Sequence, residues 1–483
     1  MGRFLAALAV VVALAALLGG GLAYRLAFVG EKQYAAGDGK QYHKLAQELV
    51  RARRFALGED KPLTDARLPG YPLFLAYLAV REAPVALADH LVRATRWNAL
   101  LDVLSAALVF FILWERRQGA GAGLLAVFGV LTCPALMILS AYGLSESLAT
   151  FLGLAALALA VVAMRRRLVT LAVLAGAVVG LAQLVRLDGV TVLPAVLVAL
   201  ALAAAPWRRR LVAGVLCVAA AGLVFAPWPA RNFVRLGRPS VSAGWIAQDG
   251  KELPAAVMRW MRSYGTGVPG ESYLILRFAL QRRVDPRAVV LPAMYDSEAE
   301  RLRVHLAFVH YNDERFSPAV VAEFAALARE RAARAPLRTA LGLPLARVYW
   351  LWAPLPASDF PMQSKLLDLP AERGRLGDWD LRTFILAAVG LAALLAFGRR
   401  EGRATAAILV TAIAARTALH AYAHPFPLQR YVVEVFPLVI ALAAIGVTAL
   451  AGPAVRQLAR LVRRPAAGAP HPALDTPAGS QQP

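Results

Sequence analysis

Apolar residues in this chain occur in long, nearly uninterrupted runs, and most of the polar residues lie in the segments between those runs. A helix needs about 20 apolar residues to cross roughly 30 Å of hydrocarbon, and several runs reach or approach that length. The pattern predicts an all-α, polytopic transmembrane protein with about ten spans. The expected spans are residues 5–28, 98–113, 119–139, 146–163, 168–185, 190–205, 211–228, 383–397, 404–421 and 432–450.

Short arginine clusters separate these runs and indicate how the chain is oriented. The clusters lie at residues 116–117, 165–167, 208–210, 399–403 and 456–464. Because short cytoplasmic loops are enriched in Arg and Lys, we expect all of these clusters on the cytoplasmic side. The spans then place both termini in the cytoplasm of a multi-pass inner-membrane protein. Residues 30–97 and 229–382 become two large loops on the external, periplasmic face.

The same pattern divides the chain into four regions. These are an N-terminal transmembrane region (1–228) that contains the first external loop (30–97), an external segment (229–382), a C-terminal transmembrane region (383–452) and a basic cytoplasmic tail (453–483). The end of the tail is rich in Ala, Pro and Gly and has no core-forming pattern, which predicts disorder.

Two apolar stretches need a separate interpretation. Residues 1–29 are predicted to be an uncleaved first span, because no clear small-residue cleavage site precedes Glu31. Residues 341–356 contain Pro344, Arg347 and Pro354, and a span there would put the flanking arginine clusters on opposite sides. We therefore predict an interfacial helix with its tryptophans at headgroup level.

Composition and charge agree with a membrane protein. Hydrophobic residues make up 59% of the chain, and the mean hydropathy is +0.55. The net charge of +22 would suggest a nucleic-acid partner in a soluble protein, but here the arginines cluster between apolar runs. We therefore expect membrane lipids and no nucleic acid as partners. Cys133 and Cys217 lie inside apolar runs and form neither a disulfide framework nor a zinc-binding pattern.

The first large loop contains a candidate functional carboxylate, Asp38. It precedes a stretch in which Tyr42, Leu45 and Ala46 recur at helical spacing, which predicts an amphipathic helix along the membrane surface. Asp38 and Gln41 fit a helix capping box. Alternatively, Asp38 is a catalytic carboxylate at the lipid–water boundary, where partial desolvation would raise its basicity. The local pattern leaves both interpretations open.

Further polar residues lie at the ends of predicted spans on the same side. Glu146 begins an apolar span, either as a partner for the helix dipole or as a site residue. Arg186 and Asp188 form either a local ion pair or part of a site. Arg231 follows Trp228 and is either the basic flank of an aromatic belt or a ligand-binding group. Function is expected where costly polar groups gather at one membrane face.

The last candidates lie near the C-terminus. His420 and His424 have the spacing of a helical metal-binding pair, but prolines follow and no third ligand accompanies them, so a divalent metal has no support as a cofactor. Arg430 and Glu434 have the spacing of an ordinary helical ion pair. Alternatively, Arg430 binds a phosphate, which suits its planar fork of donors.

Several short stretches recur in the order expected of a known family. They are Asp38 with Tyr42, Arg67-Leu68-Pro69-Gly70-Tyr71-Pro72, Ser145-Glu146, Val185-Arg186-Leu187-Asp188-Gly189, Ala226-Pro227-Trp228 with Arg231-Asn232, and Arg430-Tyr431 with Pro437. Together they resemble bacterial glycosyltransferase family 39, which includes protein O-mannosyltransferase-like enzymes and the lipid A aminoarabinose transferase. That family belongs to the GT-C class of polytopic membrane glycosyltransferases.

The resemblance implies transfer of a sugar from a polyprenyl-phosphate donor to a glycan, lipid or protein acceptor at the external face. Inversion at the anomeric carbon is implied, with Asp38 as the general base and Glu146 as a second candidate catalytic carboxylate. Gly39 stands where many relatives have a second acid, which argues against a two-acid or metal-assisted scheme there. The candidate substrate- and phosphate-binding residues are Tyr42, Arg67, Tyr71, Arg186, Arg231, His424, Arg430 and Tyr431.

Two other functions remain open at this point. One is a lipid or solute transporter or flippase, although a transporter should place its ionisable residues near the membrane midplane on broken helices. The other is a relative that binds glycolipid without catalysis, because Gly39 weakens the acidic motif.

Overall fold

The computed structural model describes residues 1–31, 37–80, 84–241, 253–266, 283–285, 291–353 and 370–462. The expectation of a disordered tail falls largely on residues 463–483, which lie outside the described residues. The stretch 341–356, expected to be an interfacial helix, is described as far as residue 353.

The first half of the chain forms helices of very different lengths. They are α1 (Gly2–Glu31), α2 (Gly37–Ala52), α3 (Gly70–Leu75), α4 (Leu87–Glu115), α5 (Ala120–Thr132), α6 (Pro134–Ser140), α7 (Glu146–Ala163), α8 (Leu168–Val185), α9 (Leu193–Ala201), α10 (Trp207–Phe225) and α11 (Pro227–Leu236). A 3₁₀ segment, Leu187–Val192, precedes α9.

The second half continues with short helices and then long ones. They are α12 (Ala255–Arg262), α13 (Glu298–Glu314), α14 (Pro318–Arg334), α15 (Leu343–Trp352), α16 (Pro370–Ala396), α17 (Arg400–Ala423) and α18 (Phe436–Val462). Two 3₁₀ turns, Gln429–Tyr431 and Val433–Val435, join α17 to α18.

The multi-pass helical architecture is confirmed. Eight helices in the described part of the chain are long and apolar enough to cross a membrane, in α1, α4, α7, α8, α10 with α11, α16, α17 and α18. The pair α5 and α6 passes the same test together, with a 51° bend. The bend lies where Pro134 cannot continue the hydrogen bonds of α5. The expected span at 190–205 coincides with Leu187–Ala201, one of the shorter apolar helices.

Small residues allow two helix pairs to pack very closely. A Cβ on Gly176 of α8 would lie 2.0 Å from the carbonyl oxygen of Cys217 in α10. A Cβ on Gly390 of α16 would lie 1.9 Å from the carbonyl oxygen of Leu442 in α18. Because lipid is as apolar as the helices themselves, close van der Waals packing at small residues is a principal way to hold membrane helices together.

The described residues between 253 and 353, here called the 253–353 segment, have a hydrophobic core of their own. Trp260 of α12 packs against Phe308 of α13 and Phe324 of α14, with ring centroids 6.0 Å and 4.8 Å apart. Arg331 of α14 lies 2.9 Å from the buried carboxylate of Glu300. The segment thus contains a small helical core outside the spanning helices.

Helix α15 has ten residues, about half the length that a span needs. The indole Nε1 of its Trp352 donates to Thr417 Oγ1 of α17 over 3.1 Å. The indole also stacks on Phe436 with centroids 5.9 Å apart. Trp352 therefore attaches α15 to the bundle. The position of this tryptophan at headgroup level stays a prediction.

A buried ion pair attaches α1 to the rest of the bundle. Most of α1 is exposed on the isolated protein, as expected for a lipid-facing helix, but Arg25 is completely buried. Its Nη1 lies 2.6 Å from Asp102 Oδ2 of α4, and its Nη2 donates to the Val130 carbonyl over 2.8 Å. The sequence-based prediction of this span did not single out Arg25.

We predict that Arg25→Met lowers the thermal unfolding midpoint of the purified protein markedly. The substitution leaves the Asp102 carboxylate buried without its charge partner, a change that typically costs about 3–5 kcal/mol. The double variant Arg25→Met/Asp102→Leu removes both charges and should recover most of the loss. The measurement is thermal unfolding in detergent.

Arg96→Met is the matched control, because Arg96 is exposed on the same helix as Asp102. It should leave the midpoint nearly unchanged. Equal losses for the Arg25 and Arg96 variants would contradict a specific role for the buried pair.

Candidate functional site

The candidate site lies at the end of the bundle formed by α2, the Ser145 loop, the Arg186 turn and residues 424–434, here called the Asp38 face. Helix α2 is amphipathic as expected, with Tyr42, Leu45 and Ala46 buried. Asp38 lies one residue inside α2, so it does not occupy the capping position that the sequence suggested. Its side chain instead points towards arginines from distant parts of the chain.

Two guanidinium groups share the Asp38 carboxylate. Arg67 Nη2 lies 2.5 Å from Asp38 Oδ1, and Arg67 Nε donates to Gln41 Oε1 over 2.9 Å. Arg430 Nη2 approaches Asp38 Oδ2 from the other side at 3.5 Å. The Asp38 side chain keeps 33% of its surface exposed, so it remains accessible to a ligand.

These guanidinium groups set the acidity of Asp38. Burial alone would raise its pKa, but the positive charges of Arg67, Arg430 and Arg186 outweigh burial and hold the pKa below its usual value. Desolvation thus acts on Asp38 in the expected direction, but in the protein without substrate the arginines reverse its effect and the net pKa is lowered. The sequence indicated that Asp38 lies near the membrane boundary. It did not indicate that arginines from distant parts of the chain contact this carboxylate.

Arg186 is the centre of a buried charge network. Its guanidinium lies 3.0 Å from Glu146, 3.2 Å from Asp188 and 2.8 Å from Glu434. The local pair with Asp188 is present as expected, and Glu146 joins the same guanidinium. The expected helical pair between Arg430 and Glu434 is absent from the ion pairs of the described residues, because Glu434 faces Arg186 instead.

Arg416 is a second buried cation, and it is not among the candidate residues predicted from the sequence. Its Nη2 lies 3.0 Å from Asp188 and 2.6 Å from Glu434, and its Nε donates to the Tyr431 carbonyl over 2.7 Å. A signal was available, because an arginine inside an apolar span is costly and usually functional. Neighbouring His420 also faces Asp188, at 3.2 Å.

Two tyrosines connect α2 and α3 to this network. The Tyr42 hydroxyl lies 3.4 Å from Ser145 Oγ, next to Glu146. The Tyr71 ring packs edge-on against Tyr42, and its hydroxyl donates to Asn98 Oδ1 over 3.4 Å. Burial raises the pKa of Tyr42, so its hydroxyl stays protonated at neutral pH. Both side chains are buried and lie behind the Asp38 carboxylate.

Residues 424–431 form a loop that carries three of the candidates. The rings of His424 and Tyr431 pack at a tilt with centroids 5.0 Å apart, and His420 stacks against both. Burial and the neighbouring His420 lower the pKa of His424 to about 4. His424 is therefore neutral at physiological pH and offers a phosphate no positive charge.

This loop is held at several points. Gln429 Nε2 donates to Asp380 Oδ2 over 3.0 Å, and Phe426 packs into the core of the 253–353 segment. Arg347 of α15 donates to the Gly265 and Ala421 carbonyls over 2.9 Å and 3.0 Å. The position of Arg430 thus depends on the 253–353 segment as well as on the spanning helices.

Arg231 lies apart from the other candidates. Its guanidinium covers the rings of Trp228 and Phe55 at 5.1 Å and 5.7 Å, and its Nη1 donates to the Thr64 carbonyl over 3.0 Å. Local aromatic packing accounts for these contacts. Among the described residues, neither Asp38 nor Glu146 contacts Arg231.

The paired histidines do not form a metal site with their neighbours. No group of three or more His, Cys, Asp or Glu side chains among the described residues could hold a metal ion. His420 and His424 stack ring on ring, and Asp188, the carboxylate nearest to His420, is already paired with two arginines.

An apolar cavity leads from the helices to the charge network. It has a volume of about 40 Å³ and is lined by parts of α7, the Leu187–Val192 segment, α17 and α18, with Arg416 and Glu434 among the lining residues. Gly153 contributes to its wall, and a Cβ there would meet open space.

The guanidinium groups differ in how fully they are neutralised. Arg186 contacts three carboxylates and Arg416 contacts two, whereas Arg67 and Arg430 share the single Asp38 carboxylate. Arg430 is 85% buried, and its Nε has no hydrogen-bond partner among the described residues. An anion entering this face would therefore find unused donors on Arg430 first.

No protein-family model matches the chain, and no curated protein sequence matches it at a significant level. Solved structures do match. The oligosaccharyltransferase of Archaeoglobus fulgidus in its apo form is similar, with a TM-score of 0.51 and 12% sequence identity, over 93% of this chain and 52% of that chain. This chain thus spans about half the length of that protein.

Two further structures are similar at lower TM-scores. The oligosaccharyltransferase AglB from Archaeoglobus fulgidus, in complex with an inhibitory peptide and a dolichol-phosphate, gives 0.49 at 12% identity over 93% of this chain and 52% of its own. ArnT from Cupriavidus metallidurans, bound to undecaprenyl phosphate, gives 0.39 at 14% identity over 92% and 80%.

At such low identity, the likeness to the apo oligosaccharyltransferase is informative about the fold alone. The chain therefore has a polytopic helical fold similar to that of the apo oligosaccharyltransferase.

Proposed function

We propose that this protein is a membrane glycosyltransferase that moves a sugar from a polyprenyl-phosphate donor to an acceptor. One observation carries the proposal: the Asp38 carboxylate lies between Arg67 and Arg430 at the mouth of a buried charge network. A carboxylate can receive the proton of an acceptor hydroxyl, and the adjacent guanidiniums can hold the departing phosphate.

In the proposed reaction, the acceptor oxygen attacks the anomeric carbon from the side opposite the lipid phosphate. The carbon–oxygen bond to the phosphate breaks, and the phosphate leaves with the bonding electrons. The acceptor proton passes to Asp38, and the configuration at the anomeric carbon inverts. Negative charge develops on the phosphate in a half-desolvated site, where fixed guanidiniums stabilise it strongly.

Arg430 and Arg67 are the proposed phosphate ligands, because among the four guanidiniums of the Asp38 face their charge is the least neutralised by carboxylates. Their planar forks suit bidentate contact with phosphate oxygens. As a phosphate engages these two groups, their hold on Asp38 weakens, and its pKa rises. Donor binding would thereby increase the basicity of Asp38 when the acceptor arrives.

The remaining candidates position the site and do not take part in the bond changes. Arg186 and Glu146 belong to the buried charge network beneath Asp38, and the side chains that pack around the site are those of Tyr42, Tyr71 and Tyr431. The two named lipid-bound neighbours, with dolichol-phosphate and undecaprenyl phosphate, make such a donor a reasonable ligand for this fold.

We further propose that the Asp38 face is external and that both termini are cytoplasmic, as the arginine clusters predict. The large segment at 229–382 would then lie outside and contribute to acceptor choice. Because this segment also holds the loop that carries Arg430, acceptor binding and donor binding would involve connected parts of the protein.

We predict that Asp38→Asn lowers the rate of sugar transfer about 10²- to 10⁴-fold, the usual contribution of a general base. Asparagine keeps the size of the side chain but cannot accept a proton at neutral pH. The measurement is transfer from a labelled polyprenyl-phosphate sugar in membranes, with Asp60→Asn as the control because Asp60 is exposed on the same loop. Undiminished transfer by the Asp38 variant would remove this carboxylate from the mechanism, and donor translocation without transfer would favour a flippase.

We predict that Arg430→Gln weakens binding of the polyprenyl-phosphate donor about 10- to 100-fold, because a hydrogen bond to a charged group contributes about 1.5–3 kcal/mol. The matched control is Arg231→Gln on the same side of the protein, where the guanidinium packs on aromatic rings. Donor affinity is measured by titration of the purified protein. If the Arg231 variant lost more donor affinity than the Arg430 variant, the phosphate ligand would be Arg231 and not Arg430.

The pH dependence of transfer should respond to Arg67. Because guanidiniums lower the pKa of Asp38, the activity that needs its ionised form is present above that pKa and is lost as the pH falls through it. Arg67→Gln removes a nearby positive charge, so the pKa rises and the acid limb of the pH–rate profile moves to higher pH. An unmoved or lowered acid limb would contradict the proposed role of Asp38.

A further inference from the structure

A second charged cavity lies at the opposite end of the bundle from Asp38. It has a volume of about 100 Å³ and is here called the arginine cavity. Its charged lining residues are Arg165, Arg166, Arg167 and Arg209, and its small lining residues include Ala203, Ala204 and Ala205. Nothing in the proposed transfer reaction uses this cavity.

The cavity exists because two parallel helices begin side by side. Helix α8 begins at Leu168 and α10 at Trp207, and the close packing at Gly176 holds the two helices together. The preceding loops meet where the Ala204 amide donates to the Met164 carbonyl over 3.2 Å. Because the second loop supplies alanines, its side chains leave the space between the arginines open.

The arginines around this space are only partly neutralised. Arg165 lies 2.8 Å from Glu401, and Arg166 makes a long 3.8 Å contact with Glu115. The side chains of Arg167 and Arg209 have neither an ion pair nor a hydrogen bond within the described residues. The cavity therefore carries a net positive charge with open donors.

Local folding does not explain why arginine occupies these positions. Arg167 has a φ of 42°, a left-handed conformation that glycine or asparagine adopts at lower cost. Arg208, Arg209 and Arg210 lie in the first turn of α10, where the helix dipole disfavours cations. Arginines that only keep a loop on the cytoplasmic side need positive charge but do not need an open cavity between them. A bound anion would offset the repulsion between the α10 arginines and the helix dipole.

We propose that the arginine cavity binds a phosphate group, such as the headgroup phosphate of an anionic membrane lipid. Basic pockets between spanning helices are suited to such headgroups. The exposed residues around the cavity indicate that it lies at the depth of the lipid headgroups. Trp207 beside the cavity is 62% exposed, and the next apolar residues along α10, such as Leu211 and Val215, are also exposed. Helix α8 separates this cavity from Arg186 by about 27 Å.

The test is a titration of the purified protein, followed by thermal unfolding. Short-chain phosphatidylglycerol, short-chain phosphatidylcholine and inorganic phosphate are added in separate arms at constant ionic strength. We expect phosphatidylglycerol to raise the unfolding midpoint and phosphatidylcholine to leave it unchanged. An equal shift with inorganic phosphate would identify the free anion as the ligand of the same site.

Two kinds of variant make the assignment specific. Arg167→Gln/Arg209→Gln should weaken the phosphatidylglycerol effect about 30-fold, because each arginine near an anionic lipid contributes about fivefold. Ala204→Phe keeps every charge and fills the cavity, so it should also abolish the effect. This second variant remains informative if the double variant does not fold.

The matched control is Arg399→Gln/Arg403→Gln, which removes two exposed arginines from a different cluster at the same end of the bundle. It should leave the phosphatidylglycerol effect within about twofold of the unmodified protein, since a screened surface charge outside the cavity contributes little. Equal weakening by the control would show diffuse attraction instead of a site. An undiminished effect in Ala204→Phe, or no effect of any phosphate in the unmodified protein, would overturn the proposal.

Discussion

A guanidinium that is buried away from water must be neutralised by carboxylates at contact distance, and the Asp38 face of this protein is built around that constraint. Arg186 contacts Glu146, Asp188 and Glu434, and Arg416 contacts the last two. These five residues come from α7, the turn after α8, α17 and the turn before α18. Removing any one of them would leave a buried charge, so the network ties the ends of these elements into one arrangement.

The charges of this face balance only when both halves of the site are considered. The Arg186 network has three carboxylates and two guanidiniums, whereas the outer half has the Asp38 carboxylate and the guanidiniums of Arg67 and Arg430. The inner excess of one negative charge therefore matches the outer excess of one positive charge. In the proposed reaction, a phosphate enters the outer half, where it meets positive charge and competes with Asp38 for the same donors.

The outer half also depends on parts of the chain that do not contact a ligand. The loop with Arg430 is fastened by Phe426 to the 253–353 segment, by Gln429 to α16 and through the Tyr431 carbonyl to Arg416. Arg347 fixes the end of α17 from which this loop begins. A chain of packed groups thus connects the segment proposed to select the acceptor with the arginine proposed to hold the donor.

The sequence by itself determined the helical, multi-pass architecture, because hydrocarbon requires long apolar helices whose backbone groups are satisfied internally. It also offered Asp38, Glu146, Arg186 and Arg430 as candidate site residues, because polar residues next to the spans are few, and the resemblance to a known family added Arg67. Only the tertiary structure decided which of these residues contact one another. It adds Arg416 to the buried network and places Arg231 on aromatic rings away from it. It also directs the Asp38 side chain towards two guanidiniums, where the sequence allowed a helix cap. The physical reason is that spacing along the chain fixes neighbours within one helix, whereas an ion pair between helices depends on their packing and on where buried charges can be neutralised.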